Sequence, residues 1–483
     1  MSRHRLLGFA AAVGLVVGGF VVTPASPSLA APSAAAFDAS GKERPFDQST
    51  RSARAKGSPV TQAAQTPECP AVLMPKCSFD PAAYVNNDPA DATNYGNYDL
   101  ANRPNGGVKV KGATVHDIEG TCEDAIQAFK DPLYFASATY VICADGRVIQ
   151  MAALKDITWT AGNWWYNSHF VQIEVAGFAS QPQGYTDAAY NSTALLIKWL
   201  GSKYDFPMDR GHVVGHDNVP AQRTSGIASM HVDPGPFFNW QRLMLMLGAP
   251  VLPSGNPLTS KMVTIAPVWP LSREVVTGCN VSSQVPPPCV PAGSFPTNFV
   301  YLRTQPNMNA PLITDPVTGP GSTEIENRSA RAFYGSTFVV ADRRVEAKGI
   351  WYKIWFDGQG AWFYSPHAAP TAFPTSGECV KPKASLASAN VYGRPIPELS
   401  EWPANFTPPP GSQPAPTALA YIIPQGQCYA VIDANVTPDH YFSWSFDNTY
   451  PRFNVTGATK YVWIWYNGRQ GFVKRADVAI AAS

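Results

Sequence analysis

Two aromatic stretches in this 483-residue chain repeat one pattern. Trp351-Tyr-Lys-Ile-Trp-Phe-Asp-Gly-Gln-Gly-Ala-Trp362 is echoed by Tyr461-Val-Trp-Ile-Trp-Tyr-Asn-Gly-Arg-Gln-Gly-Phe472, read with one residue inserted. In each, aromatic and branched residues flank an Asp-Gly or Asn-Gly pair, a strong short-range signal for a hairpin. A shorter echo lies upstream, in Val300-Tyr-Leu-Arg-Thr-Gln-Pro and Val391-Tyr-Gly-Arg-Pro-Ile-Pro. Past residue 293 the helical pattern disappears. The C-terminal part is therefore restricted to strands, and its natural reading is two small all-β barrels, 294–370 and 385–480.

Between 106 and 250 the pattern is mixed. Val108–Ile118 reads as a strand ending near His116, and Thr121 is placed to cap a helix running to Lys130. Ala138–Cys143 and Val148–Met151 form a hairpin about Asp145-Gly146. Phe170–Val175 alternates as a strand. Thr186–Tyr204 reads as a helix with Leu195, Leu196 and Trp199 on its apolar face. Val213 and Val214 make a short strand, and Pro236–Leu247 a closing helix. Strands and helices in one compact stretch imply an α/β domain, a mixed central sheet flanked by helices.

The remaining segments are connectors. Residues 67–105 read as an irregular extension packed on the α/β domain. Residues 31–66, rich in Ala, Ser, Pro and Thr, read as a disordered spacer, and 251–293 as a Pro/Ser/Thr-rich linker. The 46 prolines fit such connectors better than a helical bundle. The first 30 residues have a basic start, an apolar run from Leu6 to Val22 and small residues at Ser28-Leu29-Ala30, the layout of a secretory signal peptide. An uncleaved anchor is the other reading, although the run is short for a span. After removal of this leader no later segment is apolar enough to cross a membrane, and a secreted or wall-associated location is expected. Without it, 34 basic residues face 35 acidic ones, so there is no basic field to recruit nucleic acid.

Eight cysteines follow the leader. An even number in an exported chain favours disulfides. Pairing neighbours gives 69–77, 122–143, 279–289 and 379–428, one of many connectivities. No Cys-x-x-Cys pair exists to suggest a cysteine-rich zinc site.

Chemistry concentrates in two segments. In GATVHDIEG, alternation sets Thr114 and His116 on one face and Val115 and Asp117 on the other. In VVGHDNVPAQRTSGIASMHVDPGPFFNW lie His216, His231 and Asp233. Two histidines and a carboxylate, if the fold gathers them, supply three zinc ligands and leave a position for water. Taken singly, each has an ordinary reading: His116 as a sheet-edge residue, Asp233 as part of a turn before a helix. His212 and His216 flank two valines and a glycine, which suits a strand. Four strand positions span about 13 Å, too far to share an ion, so His216 is the candidate and His212 is structural. In Val171-Gln-Ile-Glu-Val, Glu174 points away from its apolar neighbours, either into solvent or into a site.

Six motifs in order, TVHDIEG, SATYVICADGRVIQM, AGNWWYN, VQIEVAGF, VVGHDNVP and MHVDPGPFFNW, resemble the zinc-dependent N-acetylmuramoyl-L-alanine amidases, the superfamily that includes peptidoglycan recognition proteins. The resemblance covers about Val108–Gly248. It implies a Zn2+ site of His116, His216 and Asp233, with Glu174 as the catalytic carboxylate. It sets His231 where many relatives carry a lysine that stabilises the oxyanion. Reading His231 as a substitute ligand is the minority alternative. Thr139 and Thr160 stand where the family often has histidines. The 17 positions from His216 to Asp233 exceed those of compact relatives and imply an inserted loop. Asn163, Trp164 and Asn167 are candidates to line a sugar or peptide groove, although core packing is the commoner fate of tryptophan. The C-terminal barrels resemble bacterial SH3-like domains, which often tether wall enzymes. The expected function is a secreted peptidoglycan hydrolase that cleaves the bond between N-acetylmuramic acid and L-alanine. A binding module without catalysis and a zinc peptidase acting on the stem peptide are the alternatives.

Overall fold

The structure, a computed structural model, describes residues 65–181, 184–277, 295–404, 406 and 415–482. The leader, nearly all of the spacer and the Cys279–Cys289 pairing expected from sequence lie outside these residues.

The mixed sheet is built from six strands: β1 (Cys77–Phe79), β2 (Gly112–Asp117), β3 (Tyr140–Ile142), β4 (Val148–Gln150), β5 (Phe170–Val175) and β6 (Val213–Gly215). Their spatial order is β1-β4-β3-β5-β2-β6. Only the β3–β4 hairpin is antiparallel; the other four pairings are parallel. The N-terminal extension is less irregular than its composition suggests, because it contributes the edge strand β1.

The central strands are buried on both sides, and alternation sorts their residues. Ala113, Val115, Val171, Ile173 and Val175 enter one core with helices α3 (Asp187–Tyr204) and α4 (Trp240–Leu247). Thr114, His116, Gln172 and Glu174 face the other way. Helices α1 (Cys122–Lys130) and α2 (Trp164–His169) pack with two further clusters around that opposite face. Thr121 caps α1 in a reciprocal capping box with Asp124, as its sequence implies. In α3 the buried stripe is Thr193, Leu196, Ile197 and Leu200. Leu195, expected on it, is 36% exposed, because it lies about 100° around the helix from Leu196.

The β-rich remainder forms two main sheets. Strands β7 (Met262–Ile265), β8 (Thr337–Glu346), β9 (Gly349–Phe356), β10 (Gln359–Pro366) and β11 (Ala372–Thr375) lie in the order β10-β9-β8-β7-β11. Strands β12 (Glu378–Pro382), β13 (Ser388–Tyr392), β14 (Ala418–Pro424), β15 (Tyr429–Val436), β16 (Tyr461–Trp465), β17 (Gln470–Lys474) and β18 (Val478–Ala482) lie in the order β14-β13-β17-β16-β15-β12-β18. The expected boundaries shift accordingly. Part of the presumed linker is the sheet strand β7, and β11 and β12 occupy the gap left between the two β units.

Both aromatic repeats are hairpins, and they match position for position without the inserted residue. In β9–β10, Asp357 and Gly358 both have positive φ (55° and 72°) and Phe356 pairs with Gln359, the signature of a two-residue type I′ turn. In β16–β17 the Asn467-Gly468 turn lies inside the pair formed by Trp465 and Gln470. Tyr466 N–H donates to the Arg469 carbonyl at 3.2 Å. Arg469 thus occupies the position of Gln359.

The second β unit is docked on the α/β domain. Tyr392, Trp463 and Phe472 share a buried cluster with Trp165, Tyr166 and Phe170. Burying one side chain of this size contributes roughly 1.5–3 kcal/mol, so the contact is held by far more than a flexible linker. Gly393 is needed at this seam: a Cβ there would lie 1.7 Å from the Ala221 carbonyl oxygen. Among the described residues, three disulfides join Cys69–Cys77, Cys122–Cys143 and Cys379–Cys428, the neighbour pairing expected for these six cysteines. No helix among the described residues is long and apolar enough to cross a membrane.

Candidate metal centre

His116 lies on β2 directly across from Glu174 on β5, since the parallel register pairs the two residues. His216 follows the end of β6, which pairs with β2 on its other side. The three strand ends therefore bring His216, His116 and Glu174 to one edge of the sheet. Asp233 returns to this edge after the long loop, and its carbonyl accepts the Asp217 N–H at 2.7 Å.

The donor atoms converge. His116 Nδ1 and His216 Nδ1 are 3.1 Å apart. The Asp233 carboxylate lies 3.2 Å from the first and 3.1 Å from the second. Ligands about 2.0–2.1 Å from a tetrahedral zinc ion stand roughly 3.3 Å from one another, so the spacing fits that ion. The tautomers fit as well. His116 Nε2 lies 2.9 Å from Gln172 Oε1, an acceptor, because the Gln172 amide donates to the Tyr166 carbonyl at 3.0 Å. The proton is thereby fixed on Nε2, leaving a lone pair on Nδ1 aimed at the cluster. Burial lowers the His216 pKa to about 3 despite the pull of Asp233, so this imidazole is neutral, as a ligand must be. All three residues are buried.

Glu174 is 9% exposed, and its Oε2 has no hydrogen-bond partner among the described residues. Burial, reinforced by the charges of Asp233 and Asp117, holds its carboxyl well above the usual range. A buried carboxyl with an unused oxygen beside three candidate metal donors is equipped to exchange protons.

His231 is outside the three-residue cluster. Its side chain is 63% exposed, and its Nδ1 stays 3.6 Å from Asp233, beyond hydrogen-bond distance. The ring packs on that of His216 with centroids 4.7 Å apart. Desolvation opposes its protonation, and the Asp233 carboxylate outweighs this to raise its pKa; a bound cation would compete for that carboxylate's charge. This is the geometry of a donor at the rim. His212 is elsewhere, with Nδ1 2.8 Å from Asp209.

The expected groove residues are a correction. Asn163, Trp164 and Asn167 are all buried, and their polar groups are committed to the fold. Asn163 caps α2 by accepting the Trp165 N–H, and its amide donates to the Pro220 and Gly393 carbonyls at 2.9 and 2.8 Å. Trp164 Nε1 donates to the Tyr441 carbonyl at 2.9 Å. Asn167 Oδ1 accepts from Thr160 and Ala161 at 3.2 and 2.8 Å. The second β unit covers the surface on which these residues would form a groove. Asn163→Ala should therefore cost stability and leave KM unchanged. A lost cap costs about 0.5–2 kcal/mol and each stranded carbonyl about 1–3 kcal/mol. Denaturant unfolding with steady-state kinetics checks this; a raised KM at parental stability would restore the groove.

Three contributors escape a reading of the sequence. Gln172 orients His116; its signal is a polar residue two positions before Glu174 on the same strand face. The Tyr185 hydroxyl, with one proton to donate, lies between the Asp117 carboxyl and, at 2.7 Å, the Pro234 carbonyl, tying β2 to the turn after Asp233. Glu119, at positive φ (49°), has a buried Oε2 without a hydrogen-bond partner among the described residues and a pKa raised to about 7 by burial and by Asp233.

Residues 106–236 match the family model for N-acetylmuramoyl-L-alanine amidase. The chain is 30% identical over 131 residues to the 1,6-anhydro-N-acetylmuramyl-L-alanine amidase AmpD of Enterobacter cloacae, a match covering 26% of this chain and 64% of that relative, so the chain spans less than two thirds of its length. Among solved structures it is similar to the E. coli N-acetylmuramyl-L-alanine amidase AmiD in complex with its substrate anhydro-N-acetylmuramic acid-L-Ala-D-gamma-Glu-L-Lys (19% identity, 33% of this chain and 66% of that chain, TM-score 0.26). It is also similar to the Staphylococcus aureus hydrolase AmiA in complex with its ligand (20% identity, 35% and 74%, TM-score 0.24).

Proposed function

We propose that this chain, whose residues 106–236 belong to the N-acetylmuramoyl-L-alanine amidase superfamily, is a zinc-dependent amidase acting on peptidoglycan outside the cell. The observation that carries the reading is the convergence of His116 Nδ1, His216 Nδ1 and the Asp233 carboxylate within 3.1–3.2 Å, beside Glu174, whose Oε2 has no hydrogen-bond partner among the described residues. These three residues would hold the ion. Zinc bound there supplies a Lewis acid and lowers the pKa of a water toward ~7. Glu174 takes the proton from the attacking water and returns it to the nitrogen of the departing L-alanine. His231, at the exposed rim, donates a hydrogen bond to the oxyanion that develops on the lactyl carbonyl. The bond broken is the amide between N-acetylmuramic acid and L-alanine, and water provides the hydroxyl and the proton.

Export is supported by the leader-like first 30 residues and by three disulfides, which persist in oxidising compartments. The two β units are read as SH3-like and wall-contacting. Binding of a Glu174→Gln protein to purified sacculi tests that contact.

Digestion of purified peptidoglycan with mass spectrometry of the products tests the activity. Stem peptides with a free N-terminal L-alanine and intact glycan chains are expected. Cleavage within the stem peptide would identify a peptidase, and zinc-replete binding without products a binding module.

A further inference from the structure

The loop from Asp217 to Val232 joins two of the three donor residues, so its shape sets the distance between His216 and Asp233. Val219, Ala221 and Ile227 bury it in the cores shared with the second β unit. Its outer side, with Pro220, Ile227 and Met230, borders a cavity of about 320 Å³ between the loop and the two β units. The loop's two ends are joined by the Asp217–Asp233 backbone bond, and both are held further by an arginine from the other end of the chain. Arg469 follows the turn of the β16–β17 hairpin. Its Nη1 donates to the His216 and Val219 carbonyls at 3.2 and 2.8 Å, and its Nη2 to the Met230 and His231 carbonyls at 3.2 and 2.9 Å. One guanidinium thus clasps both ends of the loop, at one donor residue itself and two positions before the other.

The neighbouring contacts run the same way. Asn218 Nδ2 donates to the Gly468 carbonyl at 3.1 Å. From the first β unit, Arg328 Nη1 donates to the Val232 carbonyl at 3.4 Å and lies 3.5 Å from the buried Asp217 carboxylate. A planar fork with donors in fixed directions can serve four carbonyls at once; an ammonium on a flexible stem cannot. Gln359, at the matching position of the first hairpin, instead donates to the Thr314 carbonyl.

We infer that Arg469 is a positioning residue of the metal centre: by clasping the His216–Asp233 loop it sets the spacing of the donor atoms, which makes the second β unit part of the site. The inference rests on the zinc reading above.

The test compares full-length Arg469→Ala, Arg469→Lys and Gln359→Ala with the parent. Zinc dissociation constants are measured by chelator competition, and kcat and KM on peptidoglycan. Groups that orient metal ligands from outside typically change affinity about 10- to 100-fold. Arg469→Ala is expected to weaken zinc binding by that factor and to lower kcat, with KM within about twofold of the parent. Arg469→Lys should recover part of the affinity, and Gln359→Ala should match the parent. A folded Arg469→Ala protein with parental zinc affinity overturns the inference. If that variant does not fold, Arg469→Lys decides, since it keeps the charge and loses the fork; parental affinity there overturns it equally. A parent that binds no zinc overturns the metal reading as well, whereas a zinc-binding parent with unaffected variants overturns this inference alone.

Discussion

Asp233→Ala is expected to abolish both zinc retention and peptidoglycan hydrolysis. The carboxylate is the anionic member of the cluster and lies 3.1–3.2 Å from both imidazole nitrogens. Alanine would leave two imidazole ligands, one short of the three that a catalytic zinc site takes from protein. The affinity loss should exceed the ~10–100-fold cost of losing an outer-shell partner. The metal's stabilisation of transition-state charge is worth several kcal/mol. Losing about 4 kcal/mol of it slows turnover about a thousandfold. Asp233→Asn separates charge from shape. It preserves an oxygen near the Asp117 N–H, which now lies 3.4 Å from the carboxylate, and should bind zinc with intermediate affinity. Removing this carboxylate relieves the charge it imposes on Glu119, Asp117 and Glu174 but forfeits its contacts with His116 and His216, so circular dichroism accompanies the metal analysis to show that the variant is folded. Metal content by elemental analysis and lysis of purified walls provide the readouts. An Asp233→Ala protein that remains lytic with one zinc per chain would sink the assignment.

The origins of these groups differ in how far they can be read from sequence. The β2 and β5 strands are legible because period-two alternation sorts Val115 from His116 and Ile173 from Glu174, and a buried parallel sheet enforces that sorting. The donor set is legible only through the order of six motifs, since each residue alone has an ordinary reading. Asn163, Trp164 and Asn167 mislead for a definite reason. A polar and aromatic run beside a site reads as a groove only if nothing covers it, and the cover comes from Gly393 and Tyr441, more than 200 residues away. Arg469 fails in the same way. In sequence it is one residue of an Asn-Gly hairpin, and nothing local indicates that its guanidinium reaches the His216 carbonyl. Strand β7 in the presumed linker was hidden by composition: prolines and threonines surround the four-residue stretch Met262–Ile265, whose pairing depends on Thr337–Val339 and Ala372–Thr375.

Glu174→Gln should separate proton transfer from metal binding. Glutamine fills the same space beside His116 but cannot take a proton from water. General acid–base contributions are typically about 10²–10⁴-fold, and kcat should fall by that factor while zinc content stays at the parental level. The pH dependence follows from the environment of the carboxyl. Burial first, then the charges of Asp233 and Asp117, raise its pKa well above the ordinary value. In the metal-free protein, a group whose folded pKa exceeds its unfolded value of about 4.3 contributes stability that is complete below that value and lost as pH rises through the folded pKa. Metal-free Glu174→Gln should therefore match the parent near pH 4 and become the more stable protein as pH rises toward neutrality. With zinc bound, the nearby cation should draw the pKa down again, and on the proposed mechanism deprotonation of Glu174 should form the acid limb of the kcat profile. That limb should vanish in the glutamine variant. Parental kcat in Glu174→Gln, or a loss of zinc in place of a loss of turnover, would remove Glu174 from the proton path and assign it to the metal shell or to the sheet alone.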